Sequence, residues 1–192
     1  PPPTPPAPPC RATPRSPPPT APGRPVAPAT SAGANVITVD IADDKLELAR
    51  KVGAVETINS RETNPVEAVR ELTGGGADKS IDALGIPDTL HDAVNSLRSG
   101  GVHIQIGMTP EGPAGDVPLT INDIVAKEID FRGSFGMPAV EFRYLLNQVA
   151  AGKLQPGQLV TKTIALQDVN DALNAMSTYN TVGTSVITDF TH

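Results

Sequence analysis

Residues 35–54, NVITVDIADDKLELARKVGA, decide how the rest of the chain is read. Asn35 to Val39 is an apolar, β-branched run of strand length, and Asp40 closes it. Asp43, Asp44 and Lys45 then open an amphipathic helical pattern that stops at Gly53. A buried parallel strand, an acid at its carboxyl end and a helix directly behind it compose the second βα step of a dinucleotide-binding sheet. In that step the acid accepts hydrogen bonds from the adenosine ribose hydroxyls. It also repels a 2′-phosphate, which selects NAD over NADP. An Asp after a strand is also a common helix-capping residue, so Asp40 carries both readings.

The bulk properties narrow the classes. The chain has 192 residues, enough for one domain and an appendage. Its formal charge of −6 gives no basic face for nucleic acid. No apolar run reaches the roughly 18 residues of a membrane span, and no charged-then-apolar leader pattern opens the sequence. Cys10 is the one cysteine, so no internal disulfide forms, which suits a reducing, cytoplasmic setting. Zinc needs three or four Cys, His or carboxylate ligands at suitable spacing. One Cys and three scattered His (His91, His103, His192) assemble no such cluster.

Composition shifts abruptly near residue 31. Residues 1–30 hold 14 of the 21 prolines, three arginines, no acid and a single branched aliphatic, Val26. Such a tract cannot bury enough apolar area to offset chain entropy, so residues 1–31 read as a disordered, polyproline-type tail. The remainder carries all 21 acids against 12 Lys and Arg. Three readings of the tail compete. One is a flexible linker. A second is an SH3-type ligand, because residues 11–17 match the R-x-x-P-x-x-P spacing, although proline-rich text gives that match almost for free. The third is out-of-frame translation, because the tract uses almost only residues with GC-rich codons.

From residue 54 on, strands and helices alternate. Residues 54–59 read as a short strand. Asn64, Pro65 and Glu67 mark a helix start, and Gly74-Gly75-Gly76 its end. The triglycine lacks the G-K-[ST] ending of a phosphate loop. A strand over 80–84 leads to a helix capped by Asp88 and Thr89, with Leu90, Ala93, Val94 and Leu97 inward and Gly100-Gly101 as its stop. His91 reads as solvated on that helix. A strand over 102–106 follows, in which His103 reads as satisfied or half-exposed. A Gly/Pro-rich loop (108–116) precedes a short helix (122–127) and a strand (129–134). Helix 139–151 has the best amphipathic stripe, Phe142, Leu145, Leu146 and Val149. Strand 159–165, helix 168–176 and strand 185–188 close the chain. The alternation predicts an α/β fold with a parallel sheet and right-handed crossovers.

Six stretches, in order, resemble the cofactor domain of medium-chain, zinc-type alcohol dehydrogenases. They are VDIADDKLELARKVGA (39–54), NPVEAVRELTGGGAD (64–78), IDALG (81–85), GGVHIQIGMTPEG (100–112), DFRGSFGM (130–137) and VGTSVITDF (182–190). The resemblance covers the chain from residue 32 on. Such enzymes transfer a hydride between an alcohol carbon and NAD(P), with zinc as the Lewis acid. It implies that Asp40 binds the adenosine ribose and that Lys45 reaches the same ribose. Ile41 and the Ala83-Leu84-Gly85 turn would flank the adenine and its ribose. Backbone groups at Ile106 and the Ser134-Phe135 turn would hold the nicotinamide carboxamide, with Met108 packed near the ring. For Ile41, Leu84, Ile106 and Met108, plain core competes evenly with cofactor contact.

Departures from the family's pattern set the expectation for this chain. The strand and G-x-G-x-x-G that open the family's sheet, and whose amides receive the pyrophosphate, occur nowhere in the sequence. The catalytic domain with its zinc ligands has no counterpart, and Ser185 stands where many members carry a pyrophosphate-binding Arg. The expected fold is therefore an incomplete doubly wound (Rossmann) sheet lacking its first strand and glycine loop. The expected division is a tail over 1–31, a partial NAD-binding domain over 32–156, and a segment over 157–192 that in the family returns to the catalytic domain. The resemblance implies a fragment of an NAD-dependent, zinc-requiring alcohol dehydrogenase without turnover of its own, truncated or frame-shifted upstream. Its parent would act on a small alcohol or aldehyde that the sequence does not name. The alternative is a non-enzymatic nucleotide-binding or dimerisation module, paired as a homodimer through the edge of strand 129–134, with the tail as an adaptor ligand.

Overall fold

The computed structural model describes residues 26–108, 116–177 and 181–190. The R-x-x-P-x-x-P spacing, most of the Gly/Pro-rich loop after Met108, and His192 lie outside them. The first described element is a short helix, α1 (Val26–Ser31), where the sequence predicts coil through residue 31. Ala27 and Ala29 are strong helix formers, and Pro28 sits in the first turn, where its missing N–H leaves no gap in the helix. Thr30 fastens α1 to the chain at Gly53: its hydroxyl lies 2.9 Å from the Val26 carbonyl and 3.3 Å from the Gly53 carbonyl.

The run before Asp40 forms β1 (Ile37–Asp40), and the pattern behind it forms α2 (Asp43–Lys51). Leu46 and Ala49 are buried beneath α2, beside Ala54 and Ile58. β2 (Glu56–Asn59) pairs parallel with β1, from Ile37 opposite Glu56 to Asp40 opposite Asn59. α3 (Pro65–Thr73) starts as its sequence demands. Asn64 Oδ1 accepts from the amides of Val66 (3.0 Å) and Glu67 (3.2 Å), and Gly74 ends the helix with φ +69°.

The next strands are longer than the sequence suggests. β3 (Ala77–Asp82) begins at Ala77 rather than Ser80, and β4 (Leu97–Gln105) at Leu97 rather than Val102. The helix between them, α4 (Pro87–Asn95), therefore ends before Leu97. Gly100 and Gly101, read as a helix stop, lie inside β4. The β3–β4 register slips between Ala77 and Lys79, so the ladder bends around an irregularity there. A Cβ on Gly101 would lie 2.9 Å from the Arg98 carbonyl oxygen, so only glycine lets β4 double this closely on itself. His91, read as solvated, is half-buried, and its Nε2 is 2.7 Å from the Pro118 carbonyl.

α5 (Ile121–Ala126) leads to β5 (Asp130–Gly133), which pairs parallel with β4. A 3-10 turn (Ala139–Glu141) runs into α6 (Phe142–Ala150), and β6 (Val160–Ala165), α7 (Val169–Ser177) and β7 (Thr184–Asp189) finish the fold. Three parallel groups result: β1–β2, β3–β4–β5 and β6–β7. The first two, read as β2-β1 and then β3-β4-β5, match the doubly wound order, with no strand among the described residues at the position of its first. The main core joins Leu90 and Val94 of α4 to Leu97 of β4 and Ile129, with Val117, Leu119 and Ile124 against it. Each such side chain contributes about 1.5–3 kcal/mol when fully buried. The apolar stripe on α6 does not reach this core; none of its residues is buried. Helical spacing creates a face, but nothing among the described residues covers this one.

Candidate cofactor site

The ten residues implied in cofactor binding all stand at or just beyond the carboxyl ends of parallel strands, or on the helix turn that follows one. In open α/β sheets that is the edge where ligands bind. Asp40 ends β1, and its Oδ1 accepts the amides of Ile41 at 2.8 Å and Ala42 at 3.1 Å. The capping reading is thus partly true: one oxygen organises the loop. Its Oδ2 has no partner among the described residues. A carboxylate oxygen held this way can accept from two vicinal hydroxyls. Ile41 is exposed, and Lys45 is half-buried in the first turn of α2, its amide 2.8 Å from Asp44 Oδ1. Asn59, at the end of β2, donates to Asp43 Oδ1 at 2.8 Å and so ties the start of α2 to the same edge.

The second group follows β3 and β4. Ala83 and Leu84 are exposed, Gly85 is buried, Ile106 is half-buried, and Met108 is 75 % exposed. The turns at 83–85 and 106–108 touch backbone to backbone. A Cβ on Gly107 would lie 2.4 Å from the Gly85 nitrogen, and one on Gly85 would lie 2.7 Å from the Met108 carbonyl carbon. Gly85 also adopts φ +85°, which a side chain would disfavour. Beyond β5, the Ser134 amide donates to the Gln105 carbonyl at 2.9 Å, and Phe135 is 89 % exposed.

Beneath these turns lies a polar network that the sequence reading missed. Asp82 is 3 % exposed. Its Oδ1 accepts the amides of Leu84 (2.9 Å) and Gly85 (3.0 Å) and the hydroxyl of Thr89 (3.2 Å). Gln105 Nε2 donates to Asp82 Oδ2 at 2.9 Å and to the Gly107 carbonyl at 2.8 Å. Those two acceptors fix the Gln105 amide, so its Oε1 faces His103 Nε2 at 2.9 Å and must accept from it. His103 Nδ1 then accepts from the Ser80 hydroxyl at 2.9 Å. The imidazole is neutral in this arrangement, fully buried, and tilted against Phe131 with ring centres 4.6 Å apart. Burial pushes its pKa below the ordinary value, against the opposing pull of Gln105 and Asp82. One signal was available: a buried strand carrying Asp82, and a second alternating His103 and Gln105 with apolar residues, require partners for each other.

The described residues fit part of a dinucleotide and do not fit zinc. Asp40 and the paired turns stand at the strand edge where ligands bind in open α/β sheets. Among the described residues, no group of three His, Cys, Asp or Glu side chains could hold a metal ion. No helix among them is long and apolar enough to cross a membrane.

A parallel α/β sheet with an acid closing its ribose-side strand defines the nucleotide-binding class of dehydrogenase domains. The comparisons with known proteins narrow that class. A family model for zinc-binding dehydrogenases matches residues 26–151, and the chain belongs to that family. Over 163 residues it is 33% identical to an alcohol dehydrogenase of Moraxella sp. (strain TAE123), a match that covers 85% of this chain and 46% of that protein. It is 32% identical, also over 163 residues, to an NAD-dependent alcohol dehydrogenase of Sulfurisphaera tokodaii, covering 84% of this chain and 45% of the other. Benzyl alcohol dehydrogenase from Acinetobacter calcoaceticus superposes with a TM-score of 0.75 at 28% identity, over 85% of this chain and 46% of that one. The chain spans about half the length of the relatives it matches. The part matched is the cofactor-binding, C-terminal part of the family.

Proposed function

We propose that this chain is the cofactor half of an NAD-dependent alcohol dehydrogenase and that it does not turn over alone. The observation that carries the reading is Asp40: it ends β1 with one oxygen bound to its own loop and the other without a partner among the described residues. In this reading Oδ2 accepts from the ribose hydroxyls, and its charge repels a 2′-phosphate. Lys45 reaches the same ribose, while Ile41 and the Ala83-Leu84-Gly85 turn bracket the adenine and its ribose. The Ile106 backbone and the Ser134-Phe135 turn orient the nicotinamide carboxamide, and Met108 shields one side of the ring from water. Bound NAD would supply the hydride acceptor for an alcohol carbon. The alcohol, the zinc that would polarise its oxygen, and the catalytic domain into which residues 157–192 return belong to the parent enzyme. The proposed setting is the cytoplasm, where Cys10 stays a thiol.

Titration of the full chain with NAD and with NADP, and of its Asp40→Ala variant with NAD, tests this. Weak NAD binding is expected, with NADP weaker still, and the Ala variant should lose about tenfold or more in affinity. Equal binding by wild type and variant removes the ribose reading. Alcohol-dependent NAD reduction at an ordinary dehydrogenase rate removes the inactivity.

A second reading has its own observation. Among the described residues β5 pairs on one side only, and all four of its residues are exposed. Such an edge suits a homodimer formed by strand-to-strand pairing. Sedimentation at rising concentration, with and without a Phe131→Lys change on that strand, separates a specific dimer from none.

A further inference from the structure

At the sheet edge opposite the cofactor residues, two cations converge on one oxygen. α4 ends at Asn95, beside the amino ends of β3 and β4, where the Ala77 amide donates to the Ser96 carbonyl at 2.9 Å. The last carbonyls of a helix have no donor within the helix. Two side chains meet that of Asn95. Arg70, in the last turn of α3, donates to it through Nη2 at 2.9 Å, and Lys127, just past α5, holds Nζ 3.4 Å from it. Lys127 is half-buried, and its own carbonyl accepts the Gly100 amide at 2.7 Å, which fixes where its side chain starts.

Capping does not account for both cations. The carboxyl end of a helix carries about half a negative charge. One cation more than neutralises it, and a second adds repulsion between like charges. No acid makes up the difference. Residues 31–192 hold 21 acids against 12 Lys and Arg, yet neither Arg70 nor Lys127 forms an ion pair among the described residues. Glu71 and Glu128, next to them in the chain, are exposed and pair with neither. Asp92, one turn back on α4, has Asp88 and His91 as its charged neighbours.

We propose that Arg70, Lys127 and the carboxyl end of α4 frame a binding site for a phosphate dianion, free or as the end of a small monoester. Both cationic groups reach a common atom, so neighbouring oxygens of one tetrahedral anion can take a donor from each. Asn95 occupies one N–H of each group; the rest of the guanidinium fork and of the ammonium remain to donate. A phosphate ester carries about −1.5 to −2 at pH 7, close to the two positive charges here, whereas a carboxylate or chloride brings half of that. The planar fork of Arg70 matches phosphate oxygens in pairs, and Lys127 adds a point charge. The site stands apart from Asp40 and is independent of the cofactor reading.

Phosphorus NMR titration of the full chain with inorganic phosphate, at fixed ionic strength, tests this. Binding should saturate with a Kd on the order of 1 mM. Arg70→Gln and Lys127→Gln each keep an N–H donor for Asn95, change only an exposed or half-buried side chain, and should each weaken binding about fivefold or more. Lys127→Arg retains the charge and should bind within about twofold of the unaltered chain. A parallel titration with methyl phosphate distinguishes the source. Equal affinity means that the site admits a monoester, and loss of binding restricts it to the free ion. Phosphate that does not saturate, or that binds both Gln variants as tightly as the unaltered chain, overturns the site.

Discussion

His103 ties the stability of the site to pH. Its ring is fully buried, and burial holds its pKa below the ordinary 6.5 despite the Gln105 hydrogen bond and the Asp82 charge. Unfolded chain therefore takes up a proton near 6.5 at a pH where folded chain does not. Stability is at its full value above that point, falls as pH drops through it, and levels off below the depressed folded value. Asp92, raised by burial and by Asp88, acts with the opposite sign. The urea midpoint should be lower at about pH 5.5 than at about pH 7.5, and His103→Gln should flatten the difference. A wild-type midpoint that does not move across that interval would sink the argument. The contrast with Asp40 shows what a sequence displays at this scale. Asp40 organises amides one and two residues away, so the run 35–45 contains its whole logic. Asp82 meets Gln105, and Ser80 meets His103, only because β3 and β4 lie side by side, 23 residues apart in the chain.

Elements defined by local chemistry were legible, and those defined by pairing were not. α3 begins at Asn64 because that side chain caps two amides within three residues. The starts of β3 and β4 depend instead on Ala77 finding Leu97, a pairing that converts an apparent helix stop at Gly100-Gly101 into the inside of a strand. α6 shows the converse case. Its stripe was the plainest pattern in the chain, yet Phe142 and Leu146 stay exposed, because periodicity names a face and not its partner. The junction of β4 with the cofactor edge gives a sharp test of element packing. A Cβ on Gly107 would lie 2.4 Å from the Gly85 nitrogen and 2.5 Å from the Leu84 carbonyl carbon, backbone atoms that cannot swing aside as a side-chain tip can. Gly107→Ala should cost about 1–3 kcal/mol in urea unfolding, the usual range for forced overpacking. A wild-type midpoint in that variant means the two turns are not in contact.

Among the described residues, burial is uneven: one group lies at α2 and β2 (Leu46, Ala49, Ala54, Ile58), another around β3 and β4, and little of it at β6 and β7. The Asp82 and His103 network, Leu97, and the α4 side chains Leu90 and Val94 all bear on β3 and β4. β6 and β7 have Ile164 as their single buried side chain, with Thr161 bonded across to the Val182 carbonyl at 2.6 Å. From β1 on the element order was legible, but not this imbalance, which depends on which faces meet. Local opening free energy follows buried apolar contact and protected hydrogen bonds, so the two regions should open separately. In native-state hydrogen exchange, the β4 amides from Val102 to Gln105 should be the slowest, exchanging only with global unfolding. Those of β6 and β7 should exchange at least about tenfold faster through local opening. Mild denaturant should accelerate the slow set and leave the fast set nearly unchanged, because local fluctuations expose little surface. If both sets exchange at one rate with one denaturant dependence, the chain unfolds as a single unit. The β6–β7 pair would then owe its stability to the sheet around β4 and not to its own ladder.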